Sequence, residues 1–151
     1  MNFEVIYEFI KHFGDEIRTL KINLINKKSL KSNHYWLMAV IPKLKNLKIL
    51  KLYKDHDSSK FGEDGFKFLS KAFAYFQKNG GKLEKLEILR KIENQSGDYL
   101  YPCLKSLPDL QSLSFNYFDL STINCKAIGK VLSDFKFIRE LNLSNSSLGS
   151  A

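Results

Sequence analysis

The sequence predicts an α/β solenoid: about five strand–helix units whose strands form one curved parallel sheet, with the helices outside it. Three observations predict it. Within residues 107–148, Leu110-x-x-Leu113-x-Phe115 recurs as Ile138-x-x-Leu141-x-Leu143. Between the two copies Ile128, Val131, Leu132 and Phe135 fall at helical spacing, so an extended piece and an amphipathic helix alternate. The pattern also runs back through the chain. The central leucines of five extended segments, Leu20, Leu50, Leu86, Leu113 and Leu141, are 30, 36, 27 and 28 residues apart. One such unit cannot bury both its strand leucines and its helix face, but stacked neighbours can. Parallel strands need a crossover of about a dozen residues, which each helix supplies.

Taken in order, residues 2–13 place Val5, Ile6, Phe9, Ile10 and Phe13 on one face of a helix about three turns long. Residues 1–16 are read as an N-terminal cap helix that ends at Gly14 and Asp15, and residues 17–151 as the repeats of a single domain. Ile17-x-x-Leu20-x-Ile22-x-Leu24 alternates as a strand from Leu20 onward. A polar loop follows, and Asn33 is suited to cap the next helix. Trp36, Leu37, Val40 and Ile41 share a face of that helix, which should end near Ile41 or kink there because Pro42 lacks an N–H and clashes with the preceding turn.

Leu44-x-x-Leu47-x-x-Leu50-x-Leu52 leads into a strand over residues 49–53. An irregular insertion at residues 55–60 accounts for the longest interval. The helix begun by Phe61-x-x-x-Gly65-x-x-x-Leu69-x-x-x-Phe73 should stop near Asn79, Gly80 and Gly81. Leu83-x-x-Leu86-x-Ile88 opens the third unit, followed by a loop over residues 94–98. The next helix is short, with Leu100, Cys103, Leu104 and Leu107 on one face and Pro102 expected in its first turn.

The pattern L-x-x-L-x-L followed by L-x-x-x-G-x-x-x-L-x-x-x-L resembles the leucine-rich repeats of the ribonuclease-inhibitor subtype, from Ile17 to Leu148. The resemblance implies a curved stack with the parallel sheet on its inner face and helices outside. In that family an Asn or Cys three positions after the last strand leucine satisfies backbone groups in the turn. Here the position holds Ile25, Asp55, Lys91, Phe118 and Ser146, so the turns should be irregular and the member divergent. The sequence ends at Ala151 without a helix to cover Leu141, Leu143 and Leu148. The C-terminal end is therefore expected to be uncapped: a fragment of a longer protein, or an end covered by another chain.

With 44% hydrophobic and 26% charged residues, the 151-residue chain has the composition of a soluble globular protein. No apolar run approaches the roughly 18 residues of a membrane span. Glu4, Glu8 and Lys11 interrupt the first residues, which lack a secretory cleavage site. An intracellular, cytoplasmic protein is expected, with Cys103 and Cys125 as buried thiols. The net charge of +8 is concentrated: residues 17–54 hold Arg18 and nine lysines and no acid.

Catalytic chemistry is not indicated. His12, His34 and His56 have no metal-ligand spacing, and Asp55-His56-Asp57 is read as a solvated loop. No G-x-S-x-G elbow surrounds a serine, and Gly80-Gly81 follows a helix, where it is a stop and no phosphate cradle. No cofactor, metal or enzymatic activity is expected.

The binding expectation rests on strand alternation. Lys21, Asn23, Lys51, Tyr53, Glu87, Leu89, Ser114, Asn116, Asn142 and Ser144 should face the inner surface. Lys21, Lys51 and Tyr53 would there form a basic–aromatic spot. Phe68 and Tyr75, off the buried face of their helix, form a second candidate patch. The expected function is a non-catalytic protein-interaction scaffold or adaptor subunit of a larger assembly. The alternative is a nucleic-acid-associated subunit using residues 17–54. A weaker alternative is a regulatory repeat fragment of an enzyme.

Overall fold

In the computed structural model, the residues described are 3–23, 37–53, 63–89, 97–118 and 122–147. Helix α1 (Phe3–Phe13) runs through a 3-10 turn (Gly14–Glu16) into strand β1 (Thr19–Asn23). Residues 37–40 are helical and tighten into a 3-10 turn (Ile41–Lys43) at Pro42, where the missing N–H was expected to end the helix. Then come β2 (Ile49–Tyr53), α2 (Glu63–Lys78), β3 (Lys85–Leu89), α3 (Gly97–Leu104), β4 (Ser112–Phe115), α4 (Thr122–Asp134) and β5 (Glu140–Asn142). The five strands form one parallel sheet in the order β1-β2-β3-β4-β5.

The register follows the leucines. Leu20 pairs with Leu50, Leu50 with Leu86, Leu86 with Leu113 and Leu113 with Leu141, one continuous rung across the sheet. A second rung joins Ile22, Leu52, Ile88 and Phe115. Period-2 alternation sends both rungs to the same face, where they form one core with Phe66, Phe73 and Phe76 of α2, Leu100 of α3 and Val131 of α4.

The start of each strand repeats one hydrogen-bond device. The Arg18 carbonyl accepts from Lys48 and Ile49 N–H at 2.8 and 2.9 Å, and the Lys48 carbonyl accepts from Glu84 and Lys85 at 2.9 and 3.0 Å. Glu84 and Gln111 carbonyls continue the series, the latter accepting from Arg139 and Glu140 at 2.8 and 3.1 Å. Four repetitions at equivalent positions mean that successive strands enter the sheet with one geometry despite the unequal lengths of chain between them.

Several expectations need correction. The apolar face of α1 is split: Ile10 is buried, but Val5, Phe9 and Phe13 are exposed. The helix leads into β1, the first strand of the sheet, and among the described residues Ile10 is the one of these four side chains that joins the core. Leu132 of α4 is likewise exposed, although Ile128 and Val131 are buried. Pro102 is not in the first turn of its helix. Gly97 and Asp98, expected in a loop, are helical and make Pro102 the sixth residue, in a helix that ends two residues later. Cys103 is buried as expected, and burial pushes its thiol pKa up. Cys125 is exposed, because it lies off the Ile128–Val131 face that α4 turns to the core.

At the turn after β4, Phe118 is fully buried and stacks on Phe115 with ring centroids 5.2 Å apart. An apolar contact stands where a polar side chain would have satisfied the backbone. The backbone is served by neighbours: Tyr117 N–H donates to the Ser144 carbonyl at 3.3 Å and Ser147 N–H to the Phe118 carbonyl at 3.2 Å. Tyr117 there, and Asn145 at the matching position after β5, adopt φ of 56° and 57°, so these two turns share one left-handed residue where irregular turns were expected. The expectations at Ile25, Asn33, Trp36, residues 55–60, Lys91 and Leu148 lie outside the described residues.

Candidate functional site

The face of the sheet opposite the core carries the side chains between the buried rungs. In register across it lie Lys21, Lys51, Glu87, Ser114 and Asn142, one residue from each strand. Asn23, Tyr53 and Leu89 form the row on one side of this series. Neighbouring strands are about 4.8 Å apart, so each row is a line of side chains in mutual reach. The expected inner-surface residues that lie in strands are thus gathered on one face, while Asn116 and Ser144 follow the ends of β4 and β5. Lys21, Asn142 and Ser144 are exposed, whereas Asn23, Lys51, Tyr53, Leu89 and Asn116 are half-buried. Glu87 and Ser114 are buried. Ser144 donates to Asn142 Oδ1 through its N–H at 2.9 Å and through its hydroxyl.

A third row, Thr19, Ile49, Lys85, Ser112 and Glu140, was missed. The same alternation points to it, two residues before each member of the central row. It supplies half of the charge network on this face. Glu87 Oε2 meets Lys51 Nζ at 2.8 Å and Glu87 Oε1 meets Lys85 Nζ at 3.0 Å. Lys85 Nζ also reaches Glu140 Oε2 at 4.0 Å, and that oxygen accepts from Ser112 Oγ at 2.7 Å. The expected basic–aromatic spot is therefore partly neutralised, because Lys51 is held by Glu87. Among the described residues Lys21 has no acidic partner.

Burial pushes the Glu87 carboxyl pKa up, but the two lysine ammonium groups outweigh this and hold it below the usual carboxylate range. The Lys85 ammonium is raised, chiefly by its hydrogen bond to Glu87. A carboxyl with a depressed folded-state pKa contributes stability at pH values above its unfolded pKa. That contribution is lost as pH falls through the folded value. Acid unfolding should therefore show a component that begins below about pH 4.3, the ordinary glutamate value. Urea unfolding of the wild type and Glu87→Gln between neutral pH and pH 3 checks this: the gap between them should close as pH falls.

The other sequence candidates are dispersed. On α2, Tyr75 is exposed but Phe68 is half-buried and in contact with its surroundings, so the two do not form one exposed patch. A groove of about 260 Å³ between α2 and α3 is lined by Phe66, Lys67, Ser70, Lys71, Tyr99 and Pro102. The basic half does not form one surface among the described residues. Lys48 pairs with Glu84 at 2.8 Å, and Lys43 lies 4.2 Å from the centre of the Tyr7 ring. Lys21 and Lys51 are on the open face, and Lys27, Lys28, Lys31 and Lys54 lie outside the described residues.

Among the described residues no group of three or more His, Cys, Asp or Glu is placed to hold a metal ion. No helix among them is long and apolar enough to cross a membrane. No protein-family model and no curated protein sequence matches this chain.

Proposed function

We propose that this chain is a leucine-rich-repeat solenoid that acts as a non-catalytic scaffold or adaptor subunit, binding a protein partner on the open face of its sheet inside the cell. The observation that carries this reading is the division of labour within each strand. Within each strand one set of side chains serves the shared core, and the alternate set stands in rows on the opposite face, where none of the described helix residues in the core cluster lies. Burial dictates the first set and leaves the second available for recognition. The four-fold repetition of the strand-start hydrogen bonds supports the solenoid. The surface is mixed in kind: Tyr53, Leu89 and Ile49 supply apolar area, and the Lys51–Glu87–Lys85 clamp supplies oriented charge. Aromatic and apolar anchors are enriched at protein interfaces, and the paired charges of the Lys51–Glu87–Lys85 clamp suit the polar rim around them.

Affinity purification of the tagged protein from its own cells, with and without nuclease, tests the proposal. A defined set of protein partners that survives nuclease is expected. Loss of all partners on nuclease treatment would overturn it in favour of the nucleic-acid alternative, whose binding should also weaken steeply with salt.

A further inference from the structure

The exposed stripe of α1 carries an inference separate from the open face. Val5, Phe9 and Phe13 are 66%, 54% and 48% exposed. Spaced by four, they lie within about 80° of one another around the helix. Phe9 and Phe13 already touch, with ring centroids 5.1 Å apart. Ile10, about 100° further round, is the residue that joins the core. The helix thus has two apolar directions, one toward its own domain and one toward solvent.

Charge identifies the occupant. The first half of α1 carries Glu4 and Glu8, and the second half carries Lys11 and His12. Glu8 and His12 stand on the same flank of the stripe and reach each other at 3.7 Å. A second α1 laid antiparallel across a two-fold axis at Phe9 would set Val5 against Phe13 of the other copy. It would also bring each Glu8 to the side of the other copy's His12. A lipid surface fits less well, because interfacial helices carry a lysine- and arginine-rich polar face and this one bears two glutamates against one lysine and one histidine.

We propose that α1 is a self-association helix, through which two copies of this chain pair antiparallel by Val5, Phe9 and Phe13, with Glu8 of each beside His12 of the other. Three side chains from each copy bury less than the roughly 1,200 Å² of a standard interface. The dimer is accordingly weak and concentration-dependent.

Sedimentation equilibrium of the full chain, from about 10 µM to about 1 mM, should show a monomer–dimer equilibrium. Phe9→Glu puts two carboxylates on the axis and should weaken it by at least about 30-fold. Because Phe9 is exposed, thermal unfolding of that variant should stay at the wild-type temperature. Two charge variants supply the specific test. Glu8→Lys and His12→Glu should each dimerise less than the wild type. Their mixture should recover association, because the lysine introduced in one chain then meets the glutamate introduced in the other. Mixing repairs contacts between chains but not contacts within a helix. A monomer at every concentration would overturn the proposal. So would association that Phe9→Glu leaves unchanged, or a mixture no better than its components. Binding of a monomer to anionic phospholipid vesicles through the same stripe would overturn it also.

Discussion

Replacing Leu86 by alanine is expected to destabilise the protein by roughly 2–5 kcal/mol, the range for a fully buried leucine whose site cannot collapse. Leu86 lies on the central strand, with Leu50 and Leu113 in register on either side, and all three are fully buried. Removing it opens a cavity in the middle of the rung, where both neighbours are fixed by their own strands. Leu141, at the end of the same rung on β5, is only half-buried. Leu141→Ala should therefore cost clearly less, about 1–2 kcal/mol. The difference in urea midpoints reads the position of each leucine in the stack. Equal losses would mean that the rung is not the continuous core described.

Gly81→Ala is expected to destabilise the protein by about 3 kcal/mol. A Cβ on Gly81 would stand 2.3, 2.4 and 2.5 Å from three atoms of the Phe76 ring. That ring is fully buried, so it has no empty direction in which to swing. The contact exists because the chain folds back over the end of α2, where Gly81 N–H donates to the Phe76 carbonyl at 2.9 Å. Gly80 beside it has a φ of 84°, and a methyl group added there would meet nothing within 4 Å. Gly80→Ala meets only the left-handed backbone penalty, about 1 kcal/mol. Thermal or urea unfolding of the two single variants should rank them in that order. A smaller residue at 76 should recover part of the Gly81→Ala loss, since the two changes share one space.

The parallel sheet and its register were legible because they follow from burial. Leu20, Leu50, Leu86, Leu113 and Leu141 were aligned by the L-x-x-L-x-L spacing, and they are the residues of one rung. Two of the three open-face rows were legible for the same reason, since period-2 alternation fixes both faces together, and the row of Thr19, Ile49, Lys85, Ser112 and Glu140 follows from the same rule although it was missed. The contacts along those rows were not legible. Glu87 meets Lys51 and Lys85 only after β2 and β3 are set side by side, and no local motif marks such a pair. The lysine-rich window likewise looked uniform along the chain, although Lys43, Lys48 and Lys51 stand beside a tyrosine ring, Glu84 and Glu87 respectively.

Periodicity also overstates burial at the ends of a stack. It finds the apolar positions of α1 but not which neighbours exist to cover them, so Val5, Phe9 and Phe13 read like Ile10. Cys125 and Leu132 were misjudged in the same way, since α4 turns only its Ile128–Val131 side to the core. At Phe118 the sequence departs from the resembled pattern, and the ring stack on Phe115 supplies the local reason.

Site-specific photo-crosslinking, with a photoreactive phenylalanine placed at Tyr53 or Tyr75 in cells, is the most direct measurement of whether the open face is the recognition surface. Tyr53 stands in a row of that face, and Tyr75 is exposed on the outer helix α2. Crosslinks from position 53 to a defined, nuclease-resistant protein, absent from position 75, are the expected result. Crosslinks from position 75 alone, or from position 53 to nucleic acid, would contradict it.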